Sequence, residues 1–139
     1  MTTIDLTQEL FLRKIGAPEK ELSLFGLVIH ENKDWYHPRI APIILEIDSL
    51  VRPYADDFST MPDDLDTKIF SLTASMVAAV LRNQDEFEHV SVLAAQRALA
   101  ACTWTAVQQQ DYEALENCRS LLHEIGLSID EILSRFDLN

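Results

Sequence analysis

The run VSVLAAQRALAACTWTAV at residues 90–107 does most to determine how this chain folds, because it is apolar on nearly every side and rich in alanine. A helix that is apolar all round is buried in the middle of a protein. Alanine side chains are small and let neighbouring helices approach closely. The run therefore predicts a central helix over about residues 84–109, with Asn83 and Glu86 as the capping pair at its start.

The segment before this run predicts the second central helix. Over residues 62–82, one apolar stripe recurs at helical spacing and a second stripe follows on another face. The members of the two stripes are Leu65, Ile69, Leu72, Met76 and Val80, and then Phe70, Val77 and Leu81. Two apolar faces favour a helix that packs on two sides, and Thr60 with Asp63 forms a capping-box pattern at its start.

Shorter helical patterns lie on both sides of the central pair. They cover about residues 5–15, 18–31, 41–51, 111–125 and 128–136. Asp111 is a suitable N-cap, and Ser128 with Glu131 forms a second capping-box pattern. The connections are short and no linker divides the chain, so we predict a single all-α domain over residues 1–139, a compact bundle of six or seven helices.

The chain is strongly acidic but also apolar enough to fold. Twenty-three Asp and Glu residues and eleven Lys and Arg residues give a formal charge of -12, while 47% of the 139 residues are hydrophobic. A field of one sign repels nucleic acid and anionic lipid and speeds encounter with basic partners. We therefore expect no direct nucleic-acid partner and no membrane partner. The N-terminal residues lack the pattern of a secretory signal, so we expect a cytoplasmic protein.

Sequence motifs of catalysis are missing from the chain. It contains no glycine-rich phosphate loop, no GxSxG and no HExxH, and its three glycines are isolated. Cys102 and Cys118 lie in apolar helical surroundings outside any CxxC pattern, which predicts reduced, unreactive core thiols. They flank Gln110 at equal distances, so a tight helical hairpin would bring them to the same height. We predict a protein that is not an enzyme, with no catalytic residue, cofactor or metal.

Two features leave other functions open. Glu86 and His89 are spaced i and i+3, as in carboxylate-bridged metal bundles, although a second copy of the pattern is missing. A helical enzyme that binds a metal or a small ligand through Glu86 and His89 is therefore one alternative. Arg97 is a lone charge within the apolar run, which either reaches solvent along a narrow polar face with Gln96 and Thr103 or is paired. We expect a carboxylate of a neighbouring helix, rather than a ligand, as its partner.

The segment from Tyr54 to Asp66, here called the acidic segment, carries five carboxylates with Phe58 and Met61 between them. Charge that steers a partner together with an aromatic anchor is typical of a protein docking surface. A solvated loop with Phe58 in the core, whose acids stabilise a helix start, is the alternative interpretation. With the nearby aromatic loop, the predicted partner-binding residues are Trp35, Tyr36, Asp56, Asp57, Phe58, Asp63, Asp64 and Asp66.

Taken together, these features favour a non-enzymatic acidic binding protein. The most concrete form is an immunity or antitoxin-type inhibitor that neutralises a basic protein partner, either a toxin or a nucleic-acid-processing protein, by docking an acidic surface on it. A nucleic-acid-mimicking inhibitor of the phage type is the other alternative. A homodimer formed through a leftover apolar face is compatible with a helical bundle.

Overall fold

The computed structural model describes residues 19–138, and for Glu19 it describes the backbone only. The helix predicted over residues 5–15 lies outside these residues. Within them the chain forms six α-helices and no strand. The helices are α1 (Glu19–His30), α2 (Ala41–Val51), α3 (Asp63–Arg82), α4 (His89–Gln108), α5 (Tyr112–Glu124) and α6 (Ile129–Arg135). The all-α prediction is confirmed.

Helix α4 lies at the centre of the bundle, since it packs against α1, α3, α5 and α6. Three of its alanines, Ala95, Ala98 and Ala100, are fully buried, and they lie on different sides of the helix. Helix α3 contacts α1 and α2 as well as α4, so the two helices form the predicted central pair. Small side chains on α4 allow this many neighbours because each helix can approach its backbone closely.

The starts of the two central helices differ from the predicted capping boxes. Residues Gln84–Glu86 form a separate 3₁₀ turn, so α4 begins at His89, and the Asn83 side chain instead donates to the carbonyl of Ala79 at the end of α3 (2.8 Å). Helix α3 follows Pro62, and the Thr60 hydroxyl donates to the carbonyl of Asp57 (2.7 Å). Both side chains hydrogen-bond to nearby carbonyls, which is the usual competitor of capping for Asn and Thr.

The caps of the last two helices are confirmed. Asp111 accepts a hydrogen bond from the backbone N–H of Ala114 (3.1 Å), and Ser128 and Glu131 form a complete capping box. Between α4 and α5 the chain turns at Gln110 with φ of 54°, and after α5 it turns at Gly126 with φ of 79°. Glycine adopts such a left-handed conformation without steric cost, and this is why it commonly ends a helix.

The core is continuous from one end of the bundle to the other. Its fully buried side chains come from every helix and from the turn after α1. They include Phe25, Ile29, Trp35, Ile44, Ile47, Met76, Val80, Leu122 and Ile132. The acidic segment lies at the edge of this core: Phe58 and Leu65 pack within it, while Asp56, Asp57, Asp63 and Asp64 are exposed.

Candidate functional site

The acidic segment consists of most of the connection between α2 and α3 together with the first turn of α3, and two short 3₁₀ turns give the connection a defined shape. These turns, Arg52–Tyr54 and Phe58–Thr60, contact one another. The Asp57 carboxylate caps the second turn, because it accepts hydrogen bonds from the backbone N–H of Ser59 (3.0 Å) and from the Ser59 hydroxyl (2.6 Å). The segment is therefore shaped by its own hydrogen bonds before any partner is considered.

Phe58 belongs to the core rather than to the surface. Only 9% of it is exposed, and it packs within the main hydrophobic cluster while Asp57 and Ser59 beside it are exposed. Met61 is half-buried against the same cluster. A buried ring has no face left for a partner, which counts against the predicted role of Phe58 and favours its structural interpretation.

The carboxylates of the acidic segment face solvent. Asp56, Asp57, Asp63 and Asp64 are exposed, and Asp66 is half-buried. The last three of the five carboxylates lie in the first turn of α3, whose start has no side-chain cap. Carboxylates there stabilise the helix by about 0.3–1 kcal/mol each through the helix dipole. Part of the acidic cluster is thus explained by the helix it precedes.

Five of the nine Lys and Arg residues in the described part of the chain pair with carboxylates outside the acidic segment. Five ion pairs join Lys33 to Glu88, Arg39 to Glu86, Arg52 to Asp48, Arg82 to Glu124, and Arg119 to Glu116. None of these pairs reaches the acidic segment. Over residues 19–138, Asp56, Asp63 and Asp64 take part in no ion pair, although Lys68 lies one turn of α3 after Asp64.

The aromatic pair Trp35 and Tyr36 is divided between core and surface. Trp35 is 1% exposed, and its ring meets that of His30 edge-on at 4.7 Å. This burial counts against a direct role in partner binding. Tyr36 is 72% exposed and therefore keeps the surface that such a role requires.

Tyr36 and the acidic segment lie at opposite ends of α2. The eleven residues of this helix span about 16 Å at the usual rise per residue. Tyr36 precedes the helix and Asp56 follows it. The predicted partner-binding residues therefore fall into two separate groups. All the charged residues among them belong to the acidic segment.

A buried carboxylate that the sequence did not reveal lies close to Tyr36. Asp34 is 2% exposed, and it accepts hydrogen bonds from the Ser91 hydroxyl (2.6 Å) and from the backbone N–H of Glu88 (2.9 Å). Asn32 also donates to the Ser91 oxygen (3.0 Å). Asp34 thus caps α4 from another part of the chain, a structural role.

Glu86 forms a surface cluster with two bases from the turn before α2. Arg39 donates to both of its carboxylate oxygens (3.1 and 3.2 Å), and His37 Nε2 lies 3.2 Å from the same group. The hydrogen bond from Arg39 holds the pKa of Glu86 below its usual range. The His37 ring stacks on Phe87 at 4.3 Å, which orients the imidazole.

The geometry that the metal hypothesis needs is not formed. Glu86 lies in the 3₁₀ turn before α4, so Glu86 and His89 do not project from one face of one helix. Across residues 19–138, no group of three or more His, Cys, Asp or Glu side chains is placed to hold a metal ion. The carboxylate of Glu86 is occupied by Arg39 instead.

A cavity of about 620 Å³ lies between α3, α4 and α5. Its lining is mostly small or apolar and includes both cysteines, neither of which forms a disulfide. Burial raises the pKa of the Cys118 thiol, and a hydrogen bond with Thr103 opposes this effect only in part. The two thiols thus line one cavity, and Cys118 is poorly suited to act as a nucleophile at neutral pH.

Arg97 reaches the surface of the bundle. Its side chain is exposed, and its guanidinium lies over the ring of Phe136, 5.6 Å from the ring centre. The predicted ion pair with a carboxylate of a neighbouring helix is not formed among residues 19–138, and Arg97 instead reaches solvent, the other outcome that the sequence left open. The charge is solvated and makes a cation–π contact with the residue that follows α6.

Comparison with known proteins gives no match, either to a family model, to a curated protein or to a solved structure. By length and composition α4 is apolar enough to cross a membrane, yet half of it is buried inside the bundle. Such burial is usual for the core helix of a helical bundle.

Proposed function

We propose that this protein is a non-enzymatic binding protein that inhibits a basic protein partner by docking the acidic segment on it, as an immunity or antitoxin-type protein does. One observation carries the proposal. Asp56, Asp63 and Asp64 are exposed and have no ion-pair partner in the described part of the chain, although five bases pair with carboxylates elsewhere.

Asp56 separates a docking role from a purely structural one. The acids at the start of α3 have a structural use through the helix dipole, and Asp57 caps a turn. Asp56 lies outside α3 and outside the Phe58–Thr60 turn, and it is exposed. Its charge adds to the local field without an evident role in stability, which supports a role toward a partner.

The field of the acidic segment determines how a partner would bind. Charges separated by less than the screening length of about 10 Å at 0.1 M salt act together on an approaching cation. Because Phe58 is buried, the surface offers few apolar anchors and many carboxylates. Association with a basic protein should therefore be fast, and added salt should slow it strongly. Electrostatic attraction should affect the association rate more than the affinity.

Capture of the partner from the native host at low salt tests the proposal. Three baits are compared: the wild-type chain, the variant Asp56→Asn/Asp63→Asn/Asp64→Asn, and a control variant Glu46→Gln/Glu113→Gln/Asp130→Asn. The control residues are exposed and lie on other helices, and their substitution removes the same amount of negative charge. The proposal predicts a basic protein that is retained by wild type and control, lost from the first variant, and released by salt. Equal retention by all three baits would count against it.

The same complex distinguishes inhibition from nucleic-acid mimicry. A mimic occupies the partner's nucleic-acid site, so duplex DNA would compete with it for the partner. An inhibitor that binds elsewhere on the partner would not be displaced by DNA at constant ionic strength. The measurement is the fraction of complex that survives added DNA.

The cavity beside the cysteines favours one second candidate, a protein that binds a small apolar ligand. Its volume of about 620 Å³ lies within the range of about 300–1,000 Å³ that is usual for ligand pockets. A fluorescent apolar probe such as anilinonaphthalene sulfonate tests this candidate. Saturable binding to the wild type that is lost in Ala78→Trp, a substitution in the cavity wall, would support it, and absence of binding would exclude it.

A further inference from the structure

The cavity between α3, α4 and α5 is apolar inside and open to solvent. All three helices contribute small or apolar side chains to its lining. Its exposed lining residues Ser71, Ser75 and Asn117 belong to α3 and α5, so the opening lies between these two helices. A ligand with an apolar body can therefore enter from the surface and bury that body against α4.

The two ends of the cavity differ in charge. Arg82 is the last residue of α3, beside the start of α4, whereas Asp111 follows the end of α4. Because helices joined by such short turns run antiparallel, these two lining residues lie at opposite ends of the cavity. Arg82 is paired, since its Nε lies 2.5 Å from Oε2 of Glu124. Over residues 19–138, Asp111 is thus the one charged lining residue that takes part in no ion pair.

The charge of Asp111 acts inside the cavity. Its carboxylate is exposed and caps α5 with Oδ1, and no Lys or Arg lies within one helical turn of it in the sequence. Burial raises the pKa of the Cys118 thiol, and the negative charge of Asp111 adds to this effect. Since Cys118 lines the cavity, the field of Asp111 extends to its lining. The end of α4 and the start of α5 meet here with opposed dipoles, so the carboxylate determines the sign of the local charge.

An aromatic ring lines the cavity away from Arg82. Phe70 precedes Arg82 by twelve positions, which is about 18 Å along α3 and toward the end that holds Asp111. The faces of aromatic rings attract cations. The net charge of -12 acts in the same direction, because a negative field concentrates cations and repels anions. Charge complementarity therefore favours a cationic ligand.

We propose that this cavity binds an amphiphilic organic cation, whose apolar chain lies along α4 and whose ammonium group is held at Asp111. The proposal rests on the second candidate function, a cavity that takes an apolar ligand, and it adds the charge and the orientation of that ligand. An anionic ligand would place a like charge near Asp111, and a neutral one would leave the attraction unused. The acidic segment contributes no residue to the lining, so docking of a basic protein is a separate property.

Isothermal titration calorimetry with three probes of equal chain length tests the charge of the ligand. The probes are octyltrimethylammonium, octanol and octanoate, each below the concentration at which it forms micelles. At low salt the wild type should bind the cation at least about tenfold more tightly than octanol, and octanol more tightly than octanoate. Added salt should weaken binding of the cation and strengthen binding of the two anions, octanoate and anilinonaphthalene sulfonate.

Asp111→Asn tests the position of the ammonium group, because asparagine also caps helices and the substitution removes the charge alone. This variant should bind the cation no more tightly than octanol and should keep its affinity for octanol within about twofold of wild type. Glu113→Gln is the matched control, since Glu113 is an exposed acid in the first turn of α5 that does not line the cavity. The control should keep most of the preference for the cation, and far-UV circular dichroism should show both variants folded.

The possible outcomes separate this proposal from the cavity itself. Equal binding of octanol and the cation by the wild type would overturn the proposal and leave an apolar ligand as the second candidate. If no probe binds, both fail. Equal loss of the preference in Asp111→Asn and Glu113→Gln would assign it to the overall field and overturn the site at Asp111. Binding of the cation that survives Ala78→Trp in the cavity wall would place it elsewhere and overturn the proposal as well.

Discussion

The Asp34 carboxylate accepts a 2.6 Å hydrogen bond from the Ser91 hydroxyl, although the two residues are 57 positions apart in the chain. The same carboxylate oxygen accepts the backbone N–H of Glu88 (2.9 Å), so one buried side chain caps the central helix and fixes the turn after α1. Capping side chains usually come from the residue just before the helix. Here the residue before α4 is Glu88, which provides no side-chain cap.

Asp34→Ala should lower the free energy of unfolding by about 2–3 kcal/mol, because it removes two hydrogen bonds to a charged group and leaves their buried donors unpaired. Urea denaturation measures the change. Asp85→Ala, an exposed acid before the same helix, is the control and should change stability by less than about 0.5 kcal/mol. Combined with Ser91→Ala, Asp34→Ala should cost less than the two single losses added together. Equal effects of the Asp34 and Asp85 substitutions would contradict the cap.

Asp34 also shows what could be predicted from the sequence and what could not. Helix periodicity and nearby caps are local, so the helices and the caps at Asp111 and Ser128 were predictable. The cap from Asp34 depends on a contact across the fold, which no local pattern contains. At Asn83 and Thr60 the capping pattern was present, but a nearby carbonyl competed for the side chain and the predicted boxes did not form.

The negative charge of the candidate site could be predicted from the sequence, but the exposure of its aromatic residues could not. Five carboxylates in one connection are visible in the sequence, and four of them are exposed in the structure. Whether an aromatic residue in a loop points inward depends on the turn that holds it. Phe58 and Trp35 point inward, and Tyr36, next to Trp35, points outward. Similarly, Glu86 and His89 had helical spacing but fall in different elements.

The two aromatic residues proposed as anchors should behave differently on truncation. Phe58→Ala should lower the free energy of unfolding by about 3–5 kcal/mol, as removal of a core ring does. Tyr36→Ala should change it by less than about 0.5 kcal/mol, because most of this ring is exposed. Both values follow from urea denaturation. A small loss of stability in Phe58→Ala would contradict the core position of this ring and favour its role as a surface anchor.

Low pH should remove the stabilisation that the Glu86 cluster, formed by Glu86 with Arg39 and His37, gives to the fold. The folded state holds the pKa of Glu86 below its usual range, chiefly through the hydrogen bond from Arg39. A lowered pKa stabilises the fold above the ordinary glutamate pKa of about 4.3, and this contribution is lost as the pH falls through the folded-state value. Glu86→Gln should therefore be less stable than wild type near pH 6, and the difference should shrink toward about pH 3.

Urea denaturation at a series of pH values measures this difference. Glu46→Gln on α2 is the control, because it removes one exposed glutamate that takes part in none of the described ion pairs. The control should not reproduce the pH-dependent gap. A constant difference between Glu86→Gln and wild type across the series would show that the Arg39 contact does not depend on the charge of Glu86.

The Cys118 thiol should react slowly with alkylating agents. Burial raises its pKa, so less thiolate is present at neutral pH, and the thiolate is the reacting form. In the Cys102→Ser variant, iodoacetamide should modify Cys118 several-fold more slowly than it modifies free cysteine, and unfolding in urea should abolish the difference. Fast modification of the folded variant would contradict a half-buried, protonated thiol.

The association rate with the captured basic partner, measured by stopped flow across ionic strength, tests the central claim most directly. Asp56→Asn/Asp63→Asn/Asp64→Asn should slow association by about tenfold at low salt and flatten its dependence on ionic strength. The control Glu46→Gln/Glu113→Gln/Asp130→Asn should stay closer to wild type, because it removes the same charge from other places. If both variants associate at the same rate, the acidic segment is not the docking surface.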